Sequence, residues 1–340
     1  MIRKLKLENF KGIKNGEIRL APLTILLGAN NSGKTTILEA LFLAPNPFRE
    51  VPYGVHRTAV EIVHFMHKTL DSEGFAFLFN KYATKDAKIE CRIDGDEYLL
   101  QFIRDDSYIY VSTNKEIGSE VNIRGRAIRC IGELRVETSS LTYGYGEALI
   151  GDTLLLSPSL IKLGYEYLKG NWASIVNLGI CKKIAEEAST FSNEKYADLT
   201  IEPFFGEKLS IYAYVKDGFR IRLGDLGEGI QSYVIARVLY EIVEPEVLLW
   251  DDVEAHFNPK MLLRVSQWLS DIVDSGRQVI LATHSLEAAR IVAGMAEEEA
   301  KIYLTSLNDG IFKAKELTLE EVEELLKAGI DVRVAETLLL

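Results

Sequence analysis

Residues 28–35, Gly28-Ala29-Asn30-Asn31-Ser32-Gly33-Lys34-Thr35, read G-x-x-x-x-G-K-T. In such a loop backbone N–H groups converge on phosphate oxygens, the lysine reaches β- and γ-phosphates, and the hydroxyl of the last residue ligates Mg²⁺. Lys34 and Thr35 take those parts, and Gly28, Asn30, Asn31, Ser32, Gly33 and Thr36 complete the expected nucleotide cradle. Far along the chain, Val247-Leu248-Leu249-Trp250 ends in two carboxylates, Asp251 and Asp252. Adjacent acids after four apolar residues are costly unless paired or metal-bound. An acid at the end of a second apolar strand holds Mg²⁺ beside the loop threonine in phosphoryl-transfer sites, so Asp251 is expected at the metal with Thr35. Asp252 is then placed to orient or deprotonate an attacking water. His284 follows a further apolar run, Ile280-Leu281-Ala282-Thr283, and is expected to contact the γ-phosphate. Gly227 and Gly229 flank the start of a helix-forming run, where exposed N–H groups and the helix dipole favour phosphate.

These residues need strand ends and helix starts to hold them. Residues 23–27 form an apolar strand directly before the loop, and residues 34–43 form a helix-forming run stopped by Pro45 and Pro47. Residues 2–8 alternate as a strand, a turn at Gly12 and Asn15-Gly16 follows, and residues 17–20 return. Residues 58–70 read as helix. Residues 88–111 read as short strands with turns at Asp94-Gly95 and Asp105-Asp106, a meander continuing to about residue 146. Helical periodicity dominates residues 157–191, with breaks expected at Gly164, Gly170 and Gly179. Strands return at 199–201, 209–215 and 219–223, and a helix runs over 230–243. Asn258-Pro259 opens another helix as N-cap and first residue, and Ser285 caps the next. Strands alternating with helices from residue 230 onward imply a parallel sheet covered on both faces. Thr318-Leu319-Glu320-Glu321 is a capping box before an acidic helix ending near Gly329.

With 340 residues the chain has ample material for a core. No apolar stretch approaches the ~20 residues of a membrane span, and the alternating N-terminus is unlike a signal peptide, so a cytoplasmic chain without membrane contact is expected. Cys91, Cys130 and Cys181 are widely spaced and odd in number, and read as buried thiols rather than a disulfide or zinc framework. The net charge of −11 argues against a protein that coats nucleic acid. Residues 297–324 hold nine acids against three bases, whereas residues 122–136 carry Arg124, Arg126, Arg129 and Arg135 against the single Glu133. Such a basic stripe is either a phosphate-binding surface or a solvated hairpin face.

Together these pieces resemble the ABC-type ATPase heads of the SMC/RecF/OLD group, most closely the stand-alone ATPases related to OLD (overcoming lysogenization defect) proteins. Leu5-Lys6-Leu7-Glu8-Asn9-Phe10-Lys11-Gly12-Ile13 is similar to the group's first strand, and Leu226-Gly227-Glu228-Gly229-Ile230-Gln231 to its signature motif. The stretch Asp251-Asp252-Val253-Glu254-Ala255-His256-Phe257-Asn258-Pro259 resembles its Walker B and D-loop, and Thr283-His284-Ser285 its switch histidine. The likeness spans residues 1 to about 305, with 58–192 matching only in general layout. It implies an α/β P-loop NTPase fold, an ABC-ATPase head in one composite domain. A β-rich lobe with the P-loop would occupy residues 1–150. A helical and parallel-sheet lobe with signature, Walker B and switch histidine would occupy residues 151–340. It also implies a homodimer, head to tail around two ATP with Mg²⁺, each P-loop facing the Gly227–Gly229 signature of the other copy. Lys11 would then lie near the nucleotide, and Gln101, the sole glutamine before the signature, is a candidate for the Mg²⁺-sensing loop.

Three departures bear on mechanism. Gly227 stands where the signature serine of ABC proteins would be, removing a hydroxyl contact. Asp252 stands for the usual glutamate and is one methylene shorter, which predicts slow hydrolysis; Glu254 could compensate, although the family pattern makes it structural. The short stretch after His284 is expected to hold no Toprim nuclease domain of the kind OLD proteins carry. Two functions follow: an ATPase acting on DNA in repair, maintenance or defence, or a nucleotide-gated scaffold for a separately encoded effector such as a nuclease, with little DNA binding of its own. A transporter ATPase subunit is disfavoured by Asn9-Phe10-Lys11-Gly12 and the Gly227-Glu228-Gly229 signature, and a small-molecule kinase by the late Asp251-Asp252 pair.

Overall fold

The structure, a computed structural model, describes residues 1–70, 72, 74–104, 108–113, 128–129, 153–296 and 298–331. The basic stripe at 122–136, apart from the backbone of residues 128–129, lies outside them, as does Cys130.

Strand β1 (Ile2–Phe10) turns at residues 11–12 into β2 (Ile13–Arg19), and β3 (Leu23–Leu27) leads through the phosphate-type loop into helix α1 (Lys34–Leu43). Helix α2 (Ala59–His67) starts at a Thr58–Glu61 capping box and ends where Lys68 turns extended, short of the expected residue 70. Strands β4 (Asp86–Ile93), β5 (Asp96–Arg104), β6 (Tyr108–Thr113) and β7 (Ile128–Arg129) form an antiparallel wing. The Asp94-Gly95 turn has φ of 47° and 108°, the positive pair that an Asp-Gly hairpin turn uses. Strand β8 (Thr153–Leu156) leads into helices α3 (Pro158–Asn177) and α4 (Ile180–Ala188). A separate antiparallel sheet comprises β9 (Tyr196–Phe205), β10 (Lys208–Val215) and β11 (Arg220–Arg222). Then come α5 (Glu228–Val243), β12 (Val247–Trp250), α6 (Pro259–Asp274), β13 (Gln278–Thr283), α7 (Leu286–Met295), β14 (Ala300–Asn308), β15 (Ile311–Leu317) and α8 (Leu319–Lys327).

The large sheet runs β7-β6-β5-β4-β1-β2-β15-β14-β3-β13-β12-β8. Its β8, β12, β13, β3 and β14 are mutually parallel. Every residue of β3, β8, β12 and β13 is buried. Successive strand side chains point to opposite faces, so the parallel centre is covered on both, as expected. Register places Leu27 beside Thr283, and Leu281 beside Trp250. The residues that follow, the loop at 28, Asp251 and His284, therefore emerge along one edge, where ligands collect in open α/β sheets.

Several local expectations yield to packing. Asn15-Gly16 is not a turn but lies inside β2; a Cβ on Gly16 would come within 2.5 Å of the Phe312 Cβ, so the glycine marks a close approach to β15. Gly164 does not break α3, whereas the break expected at Gly170 is realised as a kink at the next residue, Asn171. A Cβ at Gly164 would meet Ile235 Cγ2 at 2.5 Å, so this glycine lets α3 and α5 pack closely. The β14–β15 hairpin was not expected, although Asn308-Asp309-Gly310 between alternating residues is a hairpin signal.

Between α4, α5 and α6 lies an ion cluster of a buried arginine and two partly exposed carboxylates. Arg237 donates through Nε and Nη2 to Glu187 at 2.9 and 3.1 Å, reaches Glu241 at 3.0 Å, and sits over the Trp268 ring at 4.6 Å. Burial raises the Cys91 thiol to about 12 and Cys181 to about 11, so both are inert thiols. Among the described residues no helix is long and apolar enough to cross a membrane.

Candidate functional site

The loop between β3 and α1 is shaped by two glycines. A Cβ on Gly28 would lie 2.7 Å from Ser32 Oγ and from both Thr305 O and Thr305 Oγ1. Gly33 has φ of 92° with Phe312 behind it at 2.9 Å from such a Cβ, so no L side chain fits its conformation or space. Asn30 and Asn31 form an exposed lip, Ser32 is buried, and Thr35 and Thr36 are partly exposed on the first turn of α1. Lys34 is buried, its Nζ donating to Gly28 O at 3.0 Å and Ala29 O at 2.8 Å. The ammonium thus sits inside the loop on carbonyl partners, which it can exchange for phosphate oxygens.

Asp251 accepts a 2.8 Å hydrogen bond from Thr35 Oγ1. Burial, above all, pushes its carboxyl up to about 6; the Thr35 bond opposes this, the Asp252 and Glu39 charges add to it, and Lys34 opposes it. A buried carboxylate beside a hydroxyl, in a local excess of negative charge, has the chemistry a hard divalent cation would relieve, so Thr35 and Asp251 fit Mg²⁺. The raised pKa has a thermodynamic sign. The folded chain binds more protons at Asp251 than the unfolded chain between pH 3.8 and about 6, so this group's contribution to stability falls as pH rises through that window. Nucleotide-free Asp251→Asn is expected to melt above the parent at pH 8, by up to about 3 kcal/mol, the gap narrowing toward pH 5. Melting curves at both pH values check this; a variant that melts below the parent at pH 8 refutes it.

Asp252 follows at φ of 51°, a left-handed conformation that Asp tolerates better than most residues. Its Oδ1 lies 3.4 Å from His284 Nε2. The other ring nitrogen of His284 lies 3.2 Å from Gly28 O and 3.3 Å from Lys34 Nζ. His284 therefore bridges the loop lysine and the second carboxylate, and Lys34, Thr35, Asp251, Asp252 and His284 form one cluster.

Other expected residues are placed differently. Lys11 ion-pairs with Glu39, which is wholly buried on α1, and lies 2.8 Å from His67 Nε2. Its ammonium is thus directed at the helix behind the loop. Gln101 is in β5, paired with Lys88 and Ser112 and separated from β3 by five strands of the sheet, so it does not join the cluster. Gly227 is exposed, with open space where a Cβ would stand, at the N-terminus of α5. Gly229 is buried, and a Cβ there would meet His256 O at 2.6 Å and Met261 Sδ at 2.9 Å. Its glycine is required by packing on the 252–258 turn, and His256 also pairs with Glu228 at 2.8 Å.

One site residue escaped sequence reasoning. Thr305, within β14, lies 2.9 Å from Ser32 Oγ and donates to Leu27 O at 3.2 Å. With Phe312 it forms the wall behind the loop.

The molecule has known counterparts. A family model described as "AAA ATPase domain" matches residues 1–133, and one described as "AAA domain, putative AbiEii toxin, Type IV TA system" matches residues 179–289. Among solved structures, the Smc head domain of Pyrococcus furiosus, crystallised with an extended coiled coil and bound to the C-terminal domain of ScpA, superposes with a TM-score of 0.54. It is 16% identical, and the match covers 96% of this chain and 98% of that one. A second Smc head, bound to the C-winged helix domain of ScpA, gives a TM-score of 0.56 at 18% identity over 95% and 99%. The DNA double-strand break repair Rad50 ATPase of Methanopyrus kandleri is 39% identical over 70 residues, 18% of this chain and 8% of that protein. The chain belongs to the ABC-type ATPases of the SMC/RecF/OLD-like group. Uncharacterized protein MJECL11 of Methanocaldococcus jannaschii is 33% identical over 114 residues, 32% of this chain and 99% of that protein. In this ABC-type head, the loop, the Asp251-Asp252 strand end and His284 occupy one edge of the sheet that both family models contribute to.

Proposed function

We propose that this chain binds ATP with Mg²⁺ between two copies arranged head to tail, and hydrolyses it slowly. The observation that carries the reading is the convergence of Lys34, Thr35, Asp251, Asp252 and His284 on one sheet edge. Lys34 exchanges the Gly28 and Ala29 carbonyls for β- and γ-phosphate oxygens. Thr35 and Asp251 hold Mg²⁺, which when bound neutralises charge on the phosphates. Asp252 takes the water's proton or orients the water, and His284 faces the γ-phosphate. Gly227, exposed at the start of α5, offers backbone N–H groups outward, which suits a phosphate carried by a second copy. The short Asp252 side chain, already near His284, supports slow chemistry: turnover below ~1 s⁻¹ is expected in a coupled phosphate-release assay, and a clearly higher value counts against it.

In this reading the opening and closing of the dimer acts on DNA, in repair, maintenance or defence, as suits a chain similar to Rad50. A second reading, a nucleotide-gated scaffold for a separate effector, is favoured by the acidic run at 297–324. Filter binding of duplex DNA with and without ATP at two salt concentrations separates them, because phosphate contacts weaken with salt. ATP-dependent, salt-sensitive retention supports the first; no retention supports the second.

A further inference from the structure

Glu254 lies in the turn that follows Asp251 and Asp252, yet its carboxylate crosses to the next strand. Its Oε1 accepts two backbone hydrogen bonds, from the N–H of His284 at 2.8 Å and of Ser285 at 3.0 Å. Its Oε2 is buried with no hydrogen-bond partner among the described residues. The Ser285 N–H is shared with Thr283 Oγ1 at 2.9 Å, and the Ser285 hydroxyl caps α7 by accepting from Ala288 N at 3.1 Å. One carboxylate oxygen therefore fixes the peptide from which the His284 side chain projects, between the end of β13 and the start of α7. Val253 N adds a 3.3 Å bond to Ala282 O, so the two strand ends are joined at adjacent points.

We propose that Glu254 is a positioning residue for hydrolysis, holding His284 between Lys34 and Asp252 rather than acting on water itself. The kinetic part rests on the ATPase reading; the positioning is a property of the chain alone. Charge-assisted bonds to two N–H groups are strong and directional, and they occupy the oxygen that a general base would need free. The other oxygen is shut away from solvent, where a base could not reach the water. What a general base loses on amidation, a positioning acceptor keeps, because glutamine retains one oxygen in the same place.

The test uses full-length protein carrying Glu254→Ala, Glu254→Gln, His284→Ala, and the Glu254→Ala/His284→Ala pair. Amide hydrogen exchange over residues 282–286, kcat and KM for MgATP, and melting temperature are measured on each. Expected for Glu254→Ala are faster exchange at residues 284 and 285 and a kcat about a hundredfold lower with KM little changed, the cost of a small misplacement in a site. Glu254→Gln should keep the protection and most of kcat. Adding Glu254→Ala to His284→Ala should cost little more, since the two act as one unit. Unchanged exchange in Glu254→Ala, full additivity with His284→Ala, or a Glu254→Gln as slow as Glu254→Ala with native exchange each overturns the proposal. Should Glu254→Ala fail to fold, Glu254→Gln decides: retained protection and kcat support positioning, and native protection with lost kcat refutes it. A parent chain without turnover overturns the ATPase reading alone, and the exchange comparison still decides the role of Glu254.

Discussion

Lys34→Ala is expected to lose MgATP affinity by roughly a hundredfold or more, the equivalent of about 3 kcal/mol for truncating a buried charged hydrogen-bond donor. Lys34 is the cation whose ammonium the loop itself centres, on Gly28 O and Ala29 O, with His284 alongside. Alanine leaves the glycine-shaped loop backbone in place, because Gly28 and Gly33 owe their form to Thr305 and Phe312 rather than to the lysine. The loss should therefore appear in binding, by titration calorimetry, with little change in fold by circular dichroism. Affinity within a factor of about three of the parent, well under the tenfold that 1.4 kcal/mol represents, would remove Lys34 from the site.

Asp252→Asn is expected to lower turnover by about 10²- to 10⁴-fold, the usual worth of a positioned acid or base, while leaving ATP bound. Asparagine shares the tolerance of aspartate for the left-handed backbone, so the φ of 51° at this position is kept and the turn survives. In the shared-site reading the trapped nucleotide holds two copies together. Size exclusion with ATP and Mg²⁺ should then show a dimer for Asp252→Asn that Lys34→Ala fails to form. A monomer under every condition would exclude a site completed by a second copy.

Much of this architecture was legible because its signals are local. Asn258 caps α6 by accepting from Met261 N, and Ser285 and Thr318 cap α7 and α8, each at the residue that spacing indicates. The helix at residues 34–43 and the strand ends at Leu27, Trp250 and Thr283 follow from apolar runs and breakers. What escaped depends on distant partners. Gly16 and Gly164 look like breakers until Phe312 and Ile235 are set against them. Gly229 looks like an anion corner until the His256 carbonyl is found against it. Thr305 carries no motif, and its tie to Ser32 spans 273 residues. Lys11 was expected near nucleotide from the resemblance, whereas the buried charge of Glu39, which only the packing of α1 shows, draws its ammonium.

That tie between Ser32 and Thr305 also sets a clock on biosynthesis. The loop leaves the ribosome early, but the hydroxyl that braces it follows 273 residues later, and the ring behind Gly33 later still. At about 5–20 residues per second, the gap is on the order of 15 to 55 seconds. A nascent chain carries a complete G-x-x-x-x-G-K-T stretch throughout that interval, yet its phosphate loop has no rear support. The loop is braced from behind only when those two distant parts of the chain have met.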